Sequence, residues 1–181
     1  MRTILKLSML CMTLFISCSS VKNVYLENDR YFITVKDAKW KLSIPKYNFT
    51  LVDDNTNDGD AYYLFDDNKN ELIIVFDIEK LEKRKDAIDC REDFVNNPTG
   101  APFFEISKKF LRYEIGEASC LEYYVSKYEG QEINQNTITA VFAKDMYSIR
   151  VHVSKTSFQK EYREKMLDIV RSISFSDKVK Q

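Results

Sequence analysis

His152 is the only histidine among 181 residues, so a serine nucleophile in this chain would have no other imidazole as its base. Ser148 and Ser154 fall on the same side of an alternating run as His152, which is strand spacing. No Gly-x-Ser-x-Gly turn is present to hold a serine in an exposed elbow. His152 therefore reads as a hydrogen-bonded strand residue, with catalysis the minor alternative. Cysteine offers little more. Cys11 and Cys18 lie in or beside an N-terminal apolar run, which leaves Cys90 and Cys120; two thiols and one distant imidazole make no zinc spacing. Gly59, Gly100, Gly116 and Gly130 are isolated from one another, which excludes the clustered-glycine loops that cradle phosphates. Asp53-Asp54-Asn55-Thr56-Asn57-Asp58-Gly59-Asp60 has the oxygen-rich composition of a calcium loop. Its register fails, because with Gly59 at the sharp turn Thr56 occupies an acidic position and Phe65 stands where a bidentate Glu is needed. A solvated turn is the expected role. No catalytic, metal or cofactor residues are assigned.

The N-terminus carries a clearer pattern. Arg2 and Lys6 precede an apolar run from Leu7 to Ile16, which stops at Ser17-Cys18-Ser19-Ser20. A basic start, a short apolar core and small residues at a cleavage point make an export signal, and the run is too short to span a bilayer. Phe15-Ile16-Ser17-Cys18 resembles the lipobox of bacterial lipoproteins, departing from it at Phe15, where the family usually has Leu. The resemblance implies that residues 1–17 are removed and that Cys18 is acylated and becomes the mature N-terminus. Several acyl chains anchor firmly where one alone binds marginally. Ser19 lacks the Asp that signals inner-membrane retention in enteric lipoproteins, so the expected address is the outer membrane, facing the periplasm. The alternative is ordinary cleavage that releases a soluble periplasmic protein.

Without Arg2 and Lys6, the 27 basic residues fall by two against 28 acidic ones, leaving a charge of about −3 spread along the chain. No basic face suits a nucleic acid partner. Hydrophobic content of 44% and aromatic content of 13% are those of one packed domain. In an oxidising compartment Cys90 and Cys120 are the pair a disulfide would join; two buried thiols are the competing picture.

The elements that would position these residues follow from periodicity. Residues 18–30 are polar and aperiodic and read as a tether, with order beginning near Tyr31. Tyr31–Val35 and Lys39–Ile44 form a hairpin ended by Pro45, and Tyr62–Phe65 with Leu72–Ile78 a second one whose latter strand is central. Ala87, Cys90 and Phe94 fall on one face of a helix stopped by Asn96-Asn97-Pro98. Phe103–Ile115 is an irregular segment ending in a strand. Leu121, Tyr123 and Val125 alternate with Cys120, Glu122 and Tyr124, then Ile133–Ala143 and Tyr147–Ser154 complete an antiparallel meander. Phe158, Tyr162, Met166, Leu167, Ile169 and Val170 have helical spacing, Ile173 and Phe175 end the domain, and 176–181 is a fraying tail. Among the meander's aromatics Tyr124 and Tyr128 share the Glu122 and Ser126 face and are candidates for an exposed surface, although strand aromatics more often pack.

This order resembles the PsbP-like α/β/α sandwich, a fold shared by an extrinsic photosystem II protein, a nuclear-import factor and many bacterial lipoproteins. The residues carrying it are Trp40-Lys41-Leu42-Ser43-Ile44-Pro45, Gly130-Gln131 with Asn134-Gln135-Asn136, Val151-His152-Val153-Ser154-Lys155 and Asp168-Ile169-Val170-Arg171-Ser172-Ile173. The resemblance covers 31–175 as a single domain. It implies an α+β fold, an antiparallel sheet with helices on both faces, and no catalytic motif. The expected role is a non-catalytic lipoprotein, held to the bilayer by its acylated N-terminus, that binds an envelope protein. A periplasmic enzyme without a recognisable motif and an immunity or inhibitor lipoprotein against an exported toxin are the alternatives.

Overall fold

The computed structural model describes residues 23–56, 60–97 and 109–178. Residues 1–22, with the expected signal and Cys18, residues 57–59 of the acidic run, the segment 98–108 and residues 179–181 of the expected tail lie outside the described residues. Eleven strands and two helices are arranged as two antiparallel sheets among them.

The first sheet begins earlier than the sequence suggested. β1 (Val24–Glu27) pairs with β2 (Arg30–Thr34) across Asn28-Asp29, both at positive φ. That is the backbone of a two-residue hairpin turn, which Asn and Asp tolerate well. Residues 24–30 are therefore strand and turn, not tether: Val24, the register partner of Ile33, is buried in the core, and Tyr25 stacks on Phe32. β3 (Trp40–Pro45) pairs with β2 as expected, and the last strand, β11 (Ser174–Asp177), closes the sheet in the order β1-β2-β3-β11.

The second sheet has seven strands, β4 (Thr50–Thr56), β5 (Ala61–Asp67), β6 (Leu72–Lys80), β7 (Leu111–Ile115), β8 (Ala118–Tyr128), β9 (Gln131–Lys144) and β10 (Tyr147–Lys155), in the order β4-β5-β6-β10-β9-β8-β7. The second hairpin and the meander stand as read, with β6 in the interior. Asp53–Thr56, read as a turn, instead belong to edge strand β4, which has a bulge between Leu51 and Asp53. A bulge and acidic side chains are how an edge strand resists unwanted pairing.

Strand alternation sends Tyr63, Phe65, Ile74, Phe76, Ile138, Ala140, Ile149 and Val151 to one face of the large sheet. The inner residues of the small sheet, Ile33, Trp40, Leu42 and Ile44, complete the same core. Tyr31 meets Phe65, and Trp40 meets Tyr147, at ring centroids of 5.0 and 5.5 Å. Helix α2 (Tyr162–Ser172) adds Met166, Leu167, Ile169 and Val170 to this core, and β11 (Ser174–Asp177) follows it directly. The strand thus extends into what was read as a tail at 176–181. Helix α1 (Ala87–Asn96) lies on the opposite face, over β8 and β9, where Phe94 packs with Leu121, Tyr123 and Val125. Its start is fixed by Asp86, whose side chain accepts from the Asp89 N–H at 2.8 Å. The molecule is layered as α1, large sheet, then small sheet with α2.

Candidate functional site

The α1 side of the large sheet carries the chemistry-bearing side chains, and register places them in rows. One row runs Asn55, Tyr62, Asp77, Arg150, Val141 and Ser119; the next runs Asp53, Leu64, Val75, His152, Thr139 and Leu121. Asp66, Ile73 and Ser154 begin a third. The β8–β9 end of these rows lies under α1, and the β4–β5–β6 end does not. There Leu64, Ile73 and Val75 are half-buried and Tyr62 is 36% exposed.

Acids ring this apolar strip. Burial raises the Tyr62 phenol, and the carboxylates of Asp53 and Asp77 beside it raise it further. Arg150 reaches along the boundary between the open and covered halves. Its Nη2 donates to Asp77 Oδ2 at 2.7 Å and its Nη1 to Glu79 Oε2 at 3.1 Å, while the guanidinium sits 5.7 Å from the Phe94 ring centre. Among the described residues Asp53 and Asp66 have no such ion pair, so the strip's rim is negative on balance there.

His152 stands at the inner edge of the strip, not in a cleft. Its Nδ1 is 2.9 Å from Thr139 Oγ1 and its ring lies 5.6 Å from that of Phe94. Burial brings its pKa down to about 4. A neutral, ring-packed imidazole is a poor candidate for general base, and the hydrogen-bonded strand residue is what the fold contains.

Beside it, Glu79, Lys85, Cys90, Asp93, Ser148 and Arg150 line a cleft of about 290 Å³. Lys85 pairs with Asp93, as Arg150 does with Glu79, so the charges in the cleft are matched against each other. Ser148 Oγ is buried without a hydrogen bond of ordinary geometry; its near neighbour is the Cys90 thiol, a weak partner. Burial pushes Cys90 upward against the opposing pull of Ser148 and Lys85, and pushes Cys120 up to about 12. Both are thiols and not nucleophiles.

Of the two alternatives for Cys90 and Cys120, a disulfide or two buried thiols, the structure contains the buried thiols. Cys90 is on α1, whereas Cys120 faces the core on the other side of the sheet with Ala118, Ile138 and Ala140. A strand's backbone separates them. Sequence alternation placed Cys120 opposite Leu121 correctly, but it could not show which face α1 covers.

On that core face, Glu122 is the buried acid the sequence did not single out. Arg163 from α2 donates to it from Nε at 2.9 and 3.1 Å and from Nη2 at 2.8 Å, with Asn136 Nδ2 and Tyr113 OH each at 3.0 Å. Burial would raise this carboxyl, but the hydrogen bonds outweigh it and hold the carboxyl below its ordinary value. Five donated bonds saturate it, which makes it a lock between α2 and the sheet. Tyr124, two residues on, is 46% exposed, with its hydroxyl donating to Asn134 Oδ1 at 2.8 Å; Tyr128 is half-buried. Among the described residues no group of three His, Cys, Asp or Glu is placed to hold a metal ion, and no helix is long and apolar enough to cross a membrane.

No family model and no curated protein matches the chain. Among solved structures, the solution structure of cyanobacterial PsbP from Synechocystis sp. PCC 6803 superposes with a TM-score of 0.55 at 10% identity, covering 88% of this chain and 98% of that one. Two helices on opposite faces of an antiparallel sheet, with an N-terminal hairpin and a C-terminal strand closing the second layer, give this chain the PsbP-like fold, mixed α+β.

Proposed function

We propose that the chain is a lipid-anchored, non-catalytic binding protein of the cell envelope, held through acylated Cys18 in the outer membrane and facing the periplasm. Its partner is a protein that docks on the open half of the large sheet. The observation supporting this reading is the strip of Tyr62, Leu64, Ile73 and Val75 rimmed by Asp53, Asp66 and Asp77. Apolar side chains give such a face contact area, and acids around them select a partner with Lys or Arg around an apolar anchor.

Two measurements test it. The intact mass of the membrane-fraction protein, compared with Cys18→Ala, should show signal removal plus acylation in the wild type and neither in the variant. A photo-crosslinking residue at Tyr62 in intact cells should then join one discrete envelope protein, and Val75→Asp should abolish the product. The same residue at Ile88, exposed on the far side of α1, should give none. Equal crosslinking from both positions would sink the docking face. The acidic rim also suits an immunity lipoprotein, in which case the captured protein is an exported toxin with a basic surface.

A further inference from the structure

We propose that the outer face of the four-stranded sheet, where Tyr25, Phe32, Lys41 and Arg30 converge, lies against the headgroups of the bilayer that holds the anchor. The inference rests on acylation of Cys18 and adds to it a defined orientation. Tyr25 and Phe32 stack at 5.3 Å with planes 16° apart, outward of the sheet and away from the core formed by Ile33 and Leu42. Lys41 Nζ stands 4.4 Å from the Phe32 ring centre and donates to Tyr25 OH at 3.3 Å. Arg30 adds a second cation on this face, bound to Ser43 Oγ, Ser174 Oγ and the Ser172 carbonyl. Among the described residues Glu27, opposite Arg30 across the hairpin, is the acid on this face, so cations prevail there. Aromatic rings with a polar tip and long cationic side chains suit the boundary between headgroups and acyl chains, and cations are drawn to anionic leaflets.

The chain's exit point adds an independent restraint. Asn23 is fixed in place: its carbonyl accepts from the Thr34 N–H at 2.7 Å and Thr34 Oγ1 at 3.2 Å, and its Nδ2 lies 3.4 Å from Thr56 Oγ1. Five residue steps separate Cys18 from Asn23, a reach of at most about 18 Å even when fully extended. An anchor that short keeps β1 beside the leaflet, and the stacked pair on β1 and β2 is the surface next to it.

The test uses the full-length protein, its lipidation first established by intact mass, reconstituted in vesicles of phosphatidylcholine and phosphatidylglycerol. Brominated acyl chains serve as the quencher. Phe32→Trp reports on the proposed face and Tyr62→Trp on the opposite side of the molecule, with Trp40, buried in the core and present in every variant, as the common baseline. Emission from Phe32→Trp should fall to about half, as for a ring seated at the acyl boundary, and Tyr62→Trp should stay at baseline. Lys41→Glu should return the Phe32→Trp signal toward baseline. In the unsubstituted protein, an impermeant amine reagent should label Lys41 more slowly relative to Lys83 on vesicles than in detergent, so the proposal does not depend on a variant folding. Lipidated protein with equal quenching at 32 and 62, or with unchanged Lys41 labelling, overturns the orientation while leaving the anchor intact. Absence of the acyl mass overturns the anchor and this proposal together.

Discussion

His152 shows how one residue's surroundings decide its chemistry. The unfolded imidazole titrates near 6.5 and the folded one near 4 because burial against Phe94 penalises the cation. Between those values the unfolded chain binds the extra proton, so stability rises with pH there. The contribution is complete above about 6.5 and lost as pH falls toward 4, amounting to about 3 kcal/mol. Thermal unfolding across this window should show that slope in the wild type and lose it in His152→Gln; an unchanged slope would mean that other groups carry it. Glu122 gives the complementary case. Arg163→Met leaves a buried carboxylate with Tyr113 and Asn136 alone, at a cost of about 3 kcal/mol in urea unfolding, and adding Glu122→Gln should recover most of it. A lone histidine was visible in the sequence as an improbable catalyst. Glu122 was not visible, because one acid among 28 acquires its meaning only from Arg163, 41 positions away.

At the scale of elements, alternation and turn chemistry account for both what was legible and what was missed. The meander could be read because Leu121, Tyr123 and Val125, then Tyr147, Ile149 and Val151, keep period two where one face is buried. β1 and β4 were missed because edge strands need not alternate cleanly: β4 is exposed along most of its length, and β1 has only four residues. Asn28-Asp29 was the available signal for the first hairpin, and its polarity disguised it as tether. The same period-two rule governs the cysteines. A sheet lies between Cys90 and Cys120, so oxidising refolding should leave two thiols that react with an alkylating reagent after denaturation, and reductant should not shift the unfolding midpoint. A mass two hydrogens lighter and resistant to alkylation would require α1 to dock on the other face. The open strip fits the same picture, since α1 has only ten residues and spans about 15 Å, too little to cover a seven-stranded sheet whose neighbouring strands lie about 4.8 Å apart.

For the whole molecule, the layers make the two proposed surfaces mutually compatible. The aromatic face of the small sheet and the acidic strip of the large sheet lie on opposite sides of one core, with the packed sheets about 10 Å apart. A protein resting on the first presents the second outward, away from the leaflet and toward a periplasmic partner. Under the proposed anchor, the contact at Tyr25, Phe32 and Lys41 is small, so its occupancy would depend on the short link from Cys18, which would set a high effective concentration of leaflet at that face. Lengthening the link therefore separates anchoring from orientation. Inserting Gly/Ser residues between Ser20 and Val21, so that the link grows about fourfold, should lower that effective concentration by about eightfold, following the −3/2 power of length. Lipidation, measured by mass, and recovery in the membrane fraction should not change, while quenching of Phe32→Trp by brominated lipid should drop toward the Trp40 baseline. Quenching that survives the insertion undiminished would show that the face binds lipid strongly by itself, and that the short tether is not what orients the domain.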